Sequence, residues 1–99
     1  YREEIFGPVA MIYSYDSVDE AVRIANDAPF GLSGSVWGTN TDRASEVAER
    51  LDVGMAYVNE HGTTLPGLPF GGVKRSGYGR ELGRWGLTEF ANIRLQRVH

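Results

Sequence analysis

Cysteine is absent from the 99 residues, which excludes disulfides, a thiolate metal site and a cysteine nucleophile supplied by this stretch of chain. Long apolar runs are missing too: none approaches the roughly eighteen residues needed to cross a bilayer, and no charged-then-apolar leader opens the chain. The expectation is a cytoplasmic protein with no membrane partner. Positive charge is not in excess, since ten Lys and Arg stand against thirteen Asp and Glu for a net −3. Lys74, Arg75 and Arg80 alone cluster, so no nucleic-acid partner is expected. Histidine is scarce: His61 and His99 have no carboxylate at ligand spacing beside them, which argues against a zinc site.

What is present is the balance of a globular protein, 41% hydrophobic and 23% charged, so a packed core is expected. The length suits one small domain, which would bury roughly two-thirds of its unfolded surface and be of marginal stability alone. The chain starts at Tyr1 without Met and enters a motif within three residues, so it reads as a piece of something longer.

Over the first sixty residues strand-like and helix-like patterns alternate. Residues 9–15 are apolar, β-branched and aromatic, as in a largely buried strand. Ser17 with Glu20 three positions on is a capping-box signature, and Val18, Ala21, Val22 and Ala25 then share one helical face. Pro29 to Gly31 stops that helix, and residues 32–37 read as a second strand. Asn40 to Asp42 supplies N-cap candidates for a second helix with Ala44, Val47, Ala48 and Leu51 along its stripe. Gly54 opens a third strand through Asn59. The expected class is therefore α/β, a parallel β-α-β-α-β sheet with right-handed crossovers. From Glu60 to Gly79 eight glycines and prolines predict a long functional loop. Residues 80–90 return to a helical pattern that Gly83 and Gly86 weaken by about 1 kcal/mol each, and residues 92–99 alternate as an edge strand able to pair with another chain.

Gly77-Tyr78-Gly79 before a helix invites a dinucleotide-binding reading, but Leu82 stands where the third glycine belongs and no strand feeds the turn. A phosphate loop fails as well, because Tyr78 follows Gly77 where lysine is required. Near the start, Glu4 and Phe6 lie two apart, so in an extended segment both project to one side, where an acid and a ring could grip a ribose and a flat ring; a surface acid beside a core Phe is the plainer alternative. His61 reads as a solvated loop residue or as a polar group at a pocket mouth.

The run Pro69-Phe70-Gly71-Gly72-Val73-Lys74-Arg75-Ser76-Gly77-Tyr78-Gly79-Arg80-Glu81-Leu82-Gly83, taken with Glu3-Glu4-Ile5-Phe6-Gly7-Pro8-Val9, resembles the end of the aldehyde dehydrogenase superfamily. The resemblance covers essentially the whole chain, including Pro29-Phe30-Gly31-Leu32 and the 54–59 strand. It implies covalent catalysis in which a cysteine thiolate attacks an aldehyde, hydride passes to NAD or NADP, and the thioester is hydrolysed with a glutamate base. Cysteine, base and dinucleotide-binding half would all lie outside this chain, leaving it inactive alone. By resemblance Glu4 looks like the residue that binds the nicotinamide ribose hydroxyls, Phe6 like the ring beside the nicotinamide, and Phe70 like the aromatic lining the aldehyde pocket. Glu81 resembles a carboxylate to which a proton relay is assigned; an ion pair with Arg80 or Lys74 is the plainer alternative.

The run from Asn59 to Gly72 is similar to succinate-semialdehyde dehydrogenases, with His61, Thr63 and Thr64 as a polar wall for a substrate carboxylate. The implied organisation is a catalytic-domain portion over residues 1–91 and an oligomerisation strand over 92–99, which would make a homo-oligomer, dimer or tetramer. Two other readings stand beside it: a free-standing assembly or binding module without activity, and an acyl-transferring relative that hands the thioester to coenzyme A or phosphate.

Overall fold

A computed structural model describes residues 2–99. Helix α1 runs Val18–Asn26 and α2 runs Thr41–Ala48, and both begin as expected. Ser17 Oγ accepts from the Glu20 amide at 3.2 Å, while the Glu20 carboxylate accepts from the Asp16 amide at 2.9 Å. The reciprocal cap thus reaches one residue further back than the usual box. Asn40 caps α2 by accepting from the Arg43 amide at 3.0 Å. Strands β2, Ser33–Val36, and β3, Met55–Val58, pair in parallel with Ser33 opposite Met55 and Val36 opposite Val58. Helix α2 crosses between them and packs on both, which gives one β-α-β unit. Val22, Ala44 and Ala48 are the buried hydrophobic residues among those described. Small side chains there let helix and strands approach closely.

The remaining elements depart from expectation. Strand β1, Phe30–Gly31, pairs antiparallel with β4, Val73–Lys74. Regular pairing therefore occurs inside the segment read as a loop. Beyond it, Phe70 and Glu81 form an antiparallel bridge, Phe70 N to Glu81 O at 2.9 Å and Glu81 N to Phe70 O at 2.7 Å. Those bonds claim the backbone of Glu81, so the last helix, α3, starts at Gly83 rather than at residue 80 and spans Gly83–Glu89. Leu82 and Gly83 turn the chain into it at φ 66° and 53°.

Residues 9–15 form no strand, and neither do residues 92–99. Ile12, Ile93 and Leu95 are 90% exposed or more. A strand exists only when a neighbour takes its N–H and C=O groups, and among the described residues no strand pairs with either stretch. The expected β-α-β-α-β order is thus reduced to a single parallel pair plus the β1–β4 ladder. The Cα radius of gyration is 17.0 Å, above the roughly 13 Å of a compact domain this size. Among the described residues no helix is long and apolar enough to cross a membrane.

Candidate active-site wall and family membership

Three glycines bring the glycine-rich segment against the start of β3. Gly54 N donates to Gly31 O at 3.0 Å, and a Cβ at Gly54 would collide with the backbone of Gly71 and Gly72. Ser76 Oγ accepts from Gly31 N at 3.0 Å. Arg80 completes the fold of the segment by donating from one guanidinium nitrogen to Gly72 O at 2.8 Å and Gly79 O at 2.7 Å. Gly79, at φ 81°, faces the Glu89 carboxylate so closely that a Cβ would stand 2.5 Å from its oxygen.

This framework places Phe70 between two hollows. The larger, about 1070 Å³, is walled by Phe70, Gly71, Ser76, Arg80, Glu81 and Phe90 among others. The smaller, about 330 Å³, is walled by Tyr57, Glu60, Thr63, Thr64, Leu68 and again Phe70. Phe70 is half-buried, and the double backbone bond to Glu81 fixes the direction from which its ring is presented. Glu60 accepts from the Thr63 hydroxyl at 2.9 Å and Tyr57 donates to Thr63 O at 3.3 Å. These bonds hold the polar rim on which Thr64 sits.

Of the residues singled out in the sequence, Phe70, Thr64 and Glu81 come together around these hollows. The ion-pair alternative for Glu81 does not hold. Lys74 pairs instead with Asp52 at 3.0 Å, Arg80 turns one guanidinium nitrogen to the Gly72 and Gly79 carbonyls, and among the described residues the exposed Glu81 carboxylate takes no side-chain partner. His61 lies outside both hollows, its ring 5.2 Å from that of Trp37. Glu4 and Phe6 line neither hollow; both are exposed, Phe6 by 92%. Phe6 has φ 48°, so the segment is not extended there and the alternation expected to put both on one side does not apply. Sequence reasoning missed Arg80 and Glu89 as shapers of the wall, because their partners are main-chain groups that no spacing rule exposes.

The aldehyde dehydrogenase family model matches residues 1–95. The chain belongs to the aldehyde dehydrogenase family. Within that family it is 53% identical over 98 residues, 99% of its length, to a succinate-semialdehyde dehydrogenase [NADP(+)] of Deinococcus radiodurans. It is 46% identical over 94 residues to a probable succinate-semialdehyde dehydrogenase [NADP(+)] of Synechocystis. Among solved aldehyde dehydrogenases it superposes on succinic semialdehyde dehydrogenase from Streptococcus pyogenes in complex with NADP+ with a TM-score of 0.90 and 47% identity over 97% of the chain. Betaine aldehyde dehydrogenase from Staphylococcus aureus gives 0.86 and 39% over 90%. The chain spans about a fifth of these relatives: 20% and 21% of the first two, 21% and 18% of the solved chains.

Proposed function

We propose that this segment forms part of the aldehyde pocket of an NAD(P)-dependent aldehyde dehydrogenase acting on a short carboxylated aldehyde of the succinate-semialdehyde type. One observation carries the reading: Phe70 is clamped by its two backbone bonds to Glu81 between a large hollow and a small one with a polar rim. A rigid ring beside hydroxyls is apt to exclude water from the reacting end of a small aldehyde while Thr64 hydrogen-bonds its far end. The 53% identity to a relative named for this substrate supports the same assignment.

The cofactor's fit is partial and local. The Glu4 carboxylate and the exposed Phe6 ring suit the ribose hydroxyls and the nicotinamide face, and no phosphate-binding turn accompanies them, so the rest of the cofactor would be held by other parts of the full-length protein. When bound, NAD(P) supplies the hydride acceptor. This chain's own residues orient and enclose: Phe70 and Thr64 position the aldehyde, and Glu81, with no competing ion pair, is free to pass a proton at its carboxylate. The nucleophilic cysteine belongs to the remainder of the protein. Residues 92–99 serve as an assembly strand in a cytoplasmic homo-oligomer, because their apolar side chains and open backbone want a partner.

The test is NAD(P)H formation by the full-length protein with succinate semialdehyde, with and without coenzyme A. Turnover that needs no coenzyme A is expected. Turnover that requires it would move the protein to acyl transfer, and none with any aldehyde would end the reading.

A further inference from the structure

We propose that Lys74 is a positioning residue for the aldehyde pocket: its ammonium ties the glycine-rich segment to the end of α1 and to Asp52, and so holds the Phe70 wall where substrate meets it. The inference rests on the pocket reading above. Residues 70–72 on one side of Lys74 and Ser76, Tyr78, Gly79 and Arg80 on the other all wall the larger hollow, whereas Val73, Lys74 and Arg75 do not. The chain therefore turns away from the hollow at Lys74, and what it is tied to there sets where the two flanks lie.

Lys74 Nζ donates to Asn26 O at 2.9 Å and to Ala28 O at 3.2 Å, and it pairs with Asp52 Oδ2 at 3.0 Å. An ammonium has three N–H donors, and all three are matched. Its side chain is only 21% exposed, so solvent screens the charge less than at an open surface. Asn26 O and Ala28 O are carbonyls at the C-terminal end of α1, where the helix dipole favours a cation. The acceptors are themselves fixed: Asn26 Nδ2 donates to Arg50 O and Asn26 Oδ1 accepts from Asp52 N, both at 2.8 Å. One side chain thus joins α1, the turn before β3 and the active-site wall. Lys74 also holds φ 56°, a conformation that costs a long side chain energy and persists where its surroundings determine it. The β1–β4 ladder grips its backbone while the three acceptors grip its end.

The experiment is steady-state kinetics of the full-length protein with succinate semialdehyde and NADP. Lys74→Met keeps the apolar stem and removes the donors. It is expected to raise the aldehyde KM roughly tenfold, with kcat and the NADP KM within about twofold, because wall contacts bind substrate and transition state alike. Lys74→Arg should restore part of the loss, since a planar fork cannot converge on three acceptors as an ammonium does. Asp52→Asn, which leaves both carbonyl bonds, should raise the aldehyde KM about threefold. An unchanged aldehyde KM in Lys74→Met, or a fall in kcat at constant KM, overturns the proposal. If Lys74→Met does not fold, an unchanged KM in Asp52→Asn overturns it. If the wild type forms neither NADH nor NADPH with any aldehyde, the functional reading fails separately; hydrogen exchange then decides the positioning role, with faster exchange over residues 70–80 expected in Asp52→Asn and equal rates refuting it.

Discussion

Replacing Gly54 by alanine puts one methyl group at the place where the glycine-rich wall rests on the sheet. Its Cβ would lie 2.7 Å from Gly72 Cα and 2.8 Å from the Gly71 carbonyl carbon, whereas carbon atoms sit comfortably at about 3.5–4.0 Å. Both obstacles are backbone, so no rotamer change relieves them. Either the wall moves back by about 1 Å, or β3 moves the other way and strains the Gly54 N to Gly31 O bond of 3.0 Å. Overpacking of this kind costs about 1–3 kcal/mol, and loss of that hydrogen bond adds about 1 kcal/mol. Gly54→Ala should therefore destabilise the full-length protein by about 2–4 kcal/mol and displace Phe70. Chemical denaturation followed by tryptophan fluorescence measures the first effect and the aldehyde KM the second. Gly67→Ala is the control, since a Cβ there meets nothing within 4 Å. A Gly54→Ala midpoint equal to those of wild type and Gly67→Ala would refute the packing described for the wall.

Three more outcomes are expected. Asn26→Ala removes the two 2.8 Å bonds to Arg50 O and Asp52 N and should cost about 2 kcal/mol in the same denaturation experiment; an unchanged midpoint would remove Asn26 from the network. Glu4→Ala should slow single-turnover NAD(P)H formation by roughly tenfold if its carboxylate orients the nicotinamide ribose, and an unaltered rate would exclude Glu4 from the cofactor site. Deleting residues 92–99 from the full-length protein should lower its sedimenting mass, and an unchanged mass would count against the assembly strand.

The parts of the fold legible in the sequence were those decided by local chemistry. Ser17 and Asn40 announce their helices because capping is settled within four residues. The apolar stripe through Ala44 and Ala48 fixes which face of α2 meets β2 and β3. The β1–β4 ladder was not legible, because Phe30 and Lys74 are far apart in sequence and glycine and proline around Val73 mask its pairing. The start of α3 was missed for a related reason: Glu81 looks helical by composition, yet its N–H and C=O go to Phe70. Residues 9–15 and 92–99 carry strand-forming side chains, but composition says nothing about where a pairing neighbour comes from.

At the site, Phe70, Thr64 and Glu81, singled out by the resemblance, line the two hollows, and the roles given them are proposals. Lys74 was visible as a charge, but its three acceptors, two of them main-chain carbonyls, appear only once α1 and the glycine-rich segment are folded together. His61, Glu4 and Phe6 line neither hollow, and spacing along the sequence does not reveal that.

The central claim, that Phe70 walls the aldehyde pocket, is tested most directly by the aldehyde KM of Phe70→Ala in the full-length protein. A rise of roughly tenfold or more with the NADP KM unchanged is predicted. An aldehyde KM equal to that of the wild type would contradict it.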